Sequence, residues 1–228
     1  MLITFLNGKK EGIVSSLLIL GKCCIFESYQ TTGIMDNYQK WIVVRIDGKV
    51  AAISTGYAAL AAITARLAQQ KNVSHTLISA ETVGFEEIWK LRQTAKWDDL
   101  VLYGTEFQKK VWRRLFDLTH DQDGQLLTPR MICYSDFAEL CQNKAGVRAV
   151  AHAISLNPIA VVIPCHLVIP KETIDKIREI RKNAESTIFK GEGLCINSIL
   201  GKKGIDFGEY ALGKKIKKEL IQLEHSQQ

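Results

Sequence analysis

The chain reads as an α/β N-terminal region followed by a mainly helical C-terminal region, and three features predict this. The β-rich stretch Trp41–Ile46 meets a strong two-residue hairpin signal, Asp47-Gly48, and the strand pattern resumes at 50–54. Ala and Leu then recur at helical spacing over 57–70, which closes in a polar Gln-Gln-Lys-Asn stretch. Beyond 94–103 the character turns helical: 107–118 places Phe107, Val111, Leu115 and Leu118 on one face, with Lys109, Lys110, Arg113 and Arg114 elsewhere. A boundary near residue 95 divides the 228 residues into regions 1–95 and 96–228. At about 100–200 residues per domain, that is a normal partition. Before residue 40, the short apolar runs 13–20 and 23–26 fit strand or helix equally.

Composition narrows the class. Hydrophobic residues make up 46 % and charged residues 24 %, enough to build a globular core. The net charge of +6 and pI near 8.9 suit an anionic partner without demanding one. No apolar run approaches the roughly 20 residues that span a bilayer, so no membrane association is expected. Residues 1–11 lack a basic segment followed by an apolar one, which argues against secretion. Cys23, Cys24, Cys133, Cys141, Cys165 and Cys195 form no CxxC pair or disulfide-scaffold spacing, so they read as thiols of a cytosolic protein. Cys23, Cys24, His75 and His120 make no recognised zinc set, and neither a metal nor a cofactor is expected.

The second region holds two short helices. One spans 135–141 with Ser135 as its expected N-cap, a polar break covers 142–144, and a second helix runs over 145–156 to Asn157-Pro158. Such a pair is the pattern of a helix-turn-helix, which unrelated helical hairpins share. The second helix is rich in small residues, Ala145, Gly146, Ala149, Ala151 and Ala153, and carries Arg148 near its start. Small side chains allow close approach to another helix or to a DNA groove, and the pattern alone leaves both open. After Asn157-Pro158 come an apolar, β-rich run (159–163) and Pro164-Cys165-His166. A free cysteine has a pKa near ~8.5, and an adjacent imidazole draws it toward a reactive thiolate. Neighbouring side chains of a strand point to opposite faces, so a Cys–His contact requires the turn that Pro164 favours.

From Gly104 to Glu224 the chain resembles the O6-alkylguanine-DNA alkyltransferase family, the methylated-DNA–protein-cysteine methyltransferases. Gly104-Thr-Glu-Phe-Gln-Lys-Lys-Val-Trp112 is similar to the family's opening helix. Tyr134, Ala138 and Arg148-Ala-Val150 are similar to its helix-turn-helix; Asn157-Pro158, Pro164-Cys165-His166 and Val168 to its active-site run; and Tyr210, Lys217 and Leu223-Glu224 to its last helix. The resemblance implies an RNase H-like α/β N-terminal domain and a winged helix-turn-helix C-terminal domain. It also implies an irreversible, single-turnover transfer of an alkyl group from guanine O6 to Cys165, with O4-alkylthymine as a further substrate. By the same resemblance His166 takes the thiol proton through a water and Glu224 polarises His166. Tyr134 donates toward the leaving guanine, and Asn157 holds the turn that aims Cys165. The carbonyls of Cys165 and Val168 receive the guanine amine, and Tyr210 borders the substrate. Ala149 and Ala151 lie toward the groove while Arg148 fills the stack vacated by a flipped base. The implied partner is double-stranded DNA, the implied state a monomer, and the implied location cytoplasmic, nucleoid-associated or, in a eukaryote, nuclear.

Four positions depart from the family pattern. Leu167 stands in place of an arginine, Ala151-His152 in place of two glycines, and Ser155 in place of a frequent basic residue. Val168 and Tyr210 are 42 positions apart, which makes 171–208 an insert. Within it, 172–182 alternates charges at helical spacing and is expected as a surface helix beside the pocket mouth. Two other readings compete: a non-enzymatic sensor of alkylated DNA, whose known examples lack the cysteine, and a cysteine hydrolase, which leaves the helix pair and Arg148 unexplained.

Overall fold

The computed structural model describes residues 2–6, 17–18, 40–55, 78–121, 124–187 and 204–226. The expected helix over 57–70 and the run 23–26 lie outside the described residues; of 13–20, Leu17–Leu18 is described, as strand. The chain forms two compact units, one of residues 1–103 with 158–162, the other of 104–157 with 163–228.

The first unit contains a five-stranded mixed sheet in the order β2-β1-β5-β3-β4. Its strands are β1 (Leu2–Leu6), β2 (Leu17–Leu18), β3 (Trp41–Ile46), β4 (Lys49–Ser54) and β5 (Ile78–Val83). β1 runs parallel to β5, and the other pairs are antiparallel. The β3–β4 hairpin closes on Asp47 (φ 50°) and Gly48 (φ 80°). Two successive positive φ values are what a tight I′ turn needs, and Asp-Gly supplies them at little cost. Ile42, Val44, Ile46, Ala51, Ala52, Ile78 and Ala80 form one apolar cluster on this sheet. Helix α1 (Phe85–Thr94) follows β5 and buries Ile88 and Arg92.

Residues 159–163 are not the strand their β-branched composition suggests. Ile159 makes one isolated parallel bridge to Ile53, whose amide donates to the Pro158 carbonyl (2.9 Å). The chain then turns: the Val162 amide reaches the Ala160 carbonyl (2.9 Å) around Val161, which has φ 71°. A positive-φ γ-turn on a β-branched residue is rare and strained. Ile159, Val161 and Val162 are fully buried or nearly so. Their apolar character thus reflects burial rather than strand pairing.

In the second unit, α2 (Glu106–Phe116) starts on a capping box in which Thr105 Oγ1 accepts from the Gln108 amide (3.2 Å) and Gln108 returns an oxygen to the Thr105 amide. Its buried stripe is Val111, Trp112, Leu115 and Phe116. The expected stripe is therefore shifted, because Trp112 turns inward to donate Nε1–H to the Ala153 carbonyl (2.8 Å), while Phe107 stays exposed. Helix α3 (Tyr134–Leu140) is preceded by Cys133, not capped by Ser135, whose hydroxyl lies 3.0 Å from Cys133 Sγ. A one-turn 3-10 segment, Lys144–Gly146, leads into α4 (Val147–Ser155), which buries Val150, Ala153 and Ile154. Two short strands pair in parallel, β6 (Ile132–Cys133) with β7 (Val168–Ile169).

The insert contains α5 (Lys171–Thr187), and α6 (Lys214–Ser226) closes the described chain. The surface-helix expectation for α5 holds for its charged side alone. Thr173 and Ile177 are buried, and Ile174 and Ile180 pack on the cluster of Ile169, Ile177, Phe207 and Ile221. Isoleucines at 174, 177 and 180 make one apolar face that the charge alternation obscured. Among the described residues no helix is long and apolar enough to cross a membrane.

Candidate active site

Cys165 opens a one-turn 3-10 segment, Cys165–Leu167. Pro164 (φ −81°, ψ 60°) bends the chain so that the Cys165 amide donates to the Ile163 carbonyl (2.8 Å). This is an inverse γ-turn, and proline's fixed φ suits it. Asn157, just after α4, holds the same turn: its Nδ2 donates to the Ile163 carbonyl (2.9 Å) and to Cys165 Sγ (3.1 Å). The Tyr210 hydroxyl lies 4.0 Å from Sγ.

Burial raises the Cys165 thiol above its ordinary pKa, and four influences oppose that. They are the Asn157 hydrogen bond, the Tyr210 hydroxyl, the Lys217 charge and the turn's own amide. Lys217 is 1 % exposed. Its Nζ donates to the Val168 carbonyl (2.9 Å) and the Glu209 carbonyl (3.3 Å). Desolvation brings its pKa down to about 8, against the pull of Cys165, Asp206 and Glu209.

His166 is fully buried, and its Nε2 meets Glu224 Oε1 at 3.0 Å. Glu224 is itself buried on α6, on the same face as Lys217, Leu220 and Ile221. A carboxylate there fixes the ring's orientation. The His166 ring also meets Tyr210 edge-on, with centroids 6.5 Å apart. Tyr134, the first residue of α3, has a raised pKa, chiefly through burial and then through the charge of Cys165. It is therefore a protonated hydrogen-bond donor at neutral pH.

The structure thus places Asn157 and Tyr210 at the Cys165 sulfur, Tyr134 within reach of its charge, and the His166–Glu224 pair at the next residue. Val168 lies in β7, and its carbonyl already accepts from Lys217, which leaves one lone pair for a ligand. Arg148, Ala149, His152 and Ser155 share the exposed side of α4, with Ala151 half-buried beside them. In the sequence Lys217 is a motif match without a role. The available signal was a lysine among Ile216, Leu220 and Ile221 on the apolar side of a helix. Among the described residues no cluster of His, Cys, Asp or Glu could hold a metal. His120 is buried and stacked on Phe116.

A cysteine held by an asparagine, with a buried His–Glu pair starting at the next residue and two short helices, α3 and α4, in the same unit, defines a buried-thiol site. Residues 106–186 match the family described as 6-O-methylguanine DNA methyltransferase, DNA binding domain. The chain is 44 % identical over 73 residues to the probable methylated-DNA–protein-cysteine methyltransferase of Acanthamoeba polyphaga mimivirus, covering 32 % of this chain and 44 % of that one. It is 42 % identical over 66 residues to the methylated-DNA–protein-cysteine methyltransferase of Methanosarcina mazei, covering 29 % and 37 %. A solved O6-methylguanine-DNA methyltransferase from Pyrococcus kodakaraensis aligns with TM-score 0.48 and 22 % identity over 84 % of this chain and 95 % of that one. The family model and the two curated relatives bear out the resemblance read from the motifs over the part they match, and the chain spans less than half the length of each of those relatives.

Proposed function

We propose that this protein repairs DNA by moving an alkyl group from guanine O6 onto Cys165, once per molecule. The observation that carries the reading is the arrangement around Sγ: Asn157 at 3.1 Å and the buried His166–Glu224 pair at 3.0 Å on the next residue. In the reaction the thiolate attacks the alkyl carbon opposite the C–O6 bond. The S–C bond forms as C–O6 breaks, and the electron pair leaves with the base. The thiol proton passes to His166 through a bridging water, and Glu224 stabilises the imidazolium. Tyr134, kept protonated, donates toward the guanine so that it departs neutral. Nothing in these steps cleaves the thioether, so the protein is consumed.

The alkyl carbon is inaccessible inside a duplex, so the base must flip out at a cost of a few kcal/mol. The exposed side of α4 would face the groove, with Arg148 filling the vacated stack. The five-stranded mixed sheet supports an RNase H-like first domain, and the β6–β7 pair packed against α3 supports a winged helix-turn-helix second. We read the protein as a monomer on double-stranded DNA. Mixing it with an O6-methylguanine duplex should add one methyl to its intact mass, on Cys165. Repeated turnover, or methyl on another cysteine, would refute the reading.

A further inference from the structure

We propose that α5 fixes Tyr210 beside Cys165 and thereby limits the size of the group the thiol accepts, with Thr173 as the positioning residue; this rests on the alkyl-transfer reading above. Tyr210 ends a stretch, 204–210, that has no helix or strand of its own and takes positive φ at Gly204 and Gly208. Its course is imposed by neighbours. Thr173 is 4 % exposed, and its hydroxyl donates to the Asp206 carbonyl. A helical threonine ordinarily bonds back within its own helix, so a hydroxyl directed to another segment marks a tether. One turn on, Lys176 Nζ donates to the Gly204 carbonyl (3.4 Å). Phe207 shares the apolar cluster with Ile177, and Ile205 packs against it with Ile174 and Ile180. At Gly208 a Cβ would lie 3.1 Å from the Pro170 ring, so the backbone rests on the residue just before α5.

From the other side α6 completes the clamp, with Lys217 on the Glu209 carbonyl and Lys214 paired to Glu209 (2.8 Å) and Asp206 (3.5 Å). The peptide leading into Tyr210 is therefore held between α5 and α6. A hydroxyl 4.0 Å from Sγ borders the volume that any carbon bonded to that sulfur must enter. A fixed Tyr210 then admits methyl and restricts larger groups.

The test uses the full chain as wild type, Thr173→Val and Thr173→Ser. Two quantities are read: the ratio of single-turnover rates for benzyl and methyl transfer from duplex DNA, and the pH profile of Cys165 alkylation by iodoacetamide. Thr173→Val should raise the benzyl-to-methyl ratio about threefold, less than the roughly tenfold that one whole methylene in a pocket controls. It should also move the thiol profile to higher pH as the Tyr210 hydroxyl drifts from Sγ, and Thr173→Ser should restore both. A folded Thr173→Val with an unchanged ratio and profile, and only its thermal stability lowered, overturns the proposal. Should Thr173→Val fail to fold, Lys176→Met on the exposed side of α5 takes its place; a smaller shift in the same direction supports the proposal and none overturns it. If the wild type transfers neither group, the alkyl-transfer reading fails, while the iodoacetamide profile still decides whether α5 positions Tyr210.

Discussion

Of the three buried cysteines described in the second unit, Cys141 at the end of α3 and Cys165 in the turn after Pro164 lie in contrasting surroundings. They are 5 % and 8 % exposed, so burial hardly distinguishes them. It pushes the Cys141 thiol up to about 11, opposed by the charges of Arg114 and Lys110. At Cys165 the opposition is closer: an asparagine amide on the sulfur, a phenol hydroxyl at its edge and a buried lysine nearby. A buried thiol is ordinarily inert. What separates the proposed acceptor from a packing residue here is the set of polar groups buried with it.

The largest effect should be total. Cys165→Ala should take up no methyl from an O6-methylguanine duplex, and Cys141→Ala should take up one, as intact mass will show. Methyl uptake lost equally in both would erase the comparison. Next is Glu224→Gln, which keeps the shape of the His166 partner but not its charge. Proton transfer by a positioned base contributes about 10²-fold or more, so single-turnover transfer should slow by roughly that factor. Cys141 alkylation in unfolded protein should not change, which controls for reagent chemistry.

Lys217 sharpens the contrast further, because its charge favours the thiolate of Cys165. A single neighbouring charge moves a pKa by about one unit, so Lys217→Met should shift Cys165 alkylation about one unit toward higher pH. The same substitution has a stability signature. The Lys217 pKa is about 8 in the folded chain against an ordinary 10.5. Between those values the unfolded state binds more protons, so this residue makes folding more favourable as pH rises from 8 to 10.5. Urea unfolding at both ends of that window should therefore show wild type gaining stability relative to Lys217→Met. A constant difference would mean that Lys217 does not carry the depressed pKa.

Legibility followed the same division. The Asp47-Gly48 hairpin, the helix pair and the Cys165 motif are local signals, and each was readable because adjacent residues determine it. The pairing of β6 with β7 was not, since strands of two residues carry no periodicity. The run 159–163 misled because β-branched residues serve burial as well as strands, and Val161 adopts a backbone its side chain disfavours. Thr173 was hidden for another reason: its partner at Asp206 lies 33 residues away, inside a segment without periodic pattern. The buried pair of His166 and Glu224 is 58 residues apart, and resemblance alone made it legible.

The smallest expected effect concerns the exposed side of α4, where no buried polar network exists to disturb. Arg148, Ala149, His152 and Ser155 lie on that surface. With a net charge of +6 and no evident base-reading side chain, DNA binding should be electrostatic and nearly sequence-blind. If about four phosphates are neutralised, log affinity should fall with log salt at a slope near −3.6, at about −0.9 per phosphate. Arg148 can serve in two ways that this slope separates. As a phosphate contact its removal would shrink the slope by about 0.9 and weaken all duplexes alike. As a wedge it leaves the slope in place, and its loss slows repair of a duplex far more than transfer from free O6-alkylguanine. The second outcome is expected for Arg148→Ala, because a flipped base leaves a gap that Ala149 and Ala151 are too small to fill. Equal slowing on duplex and free base would instead place Arg148 with the groups that support Cys165.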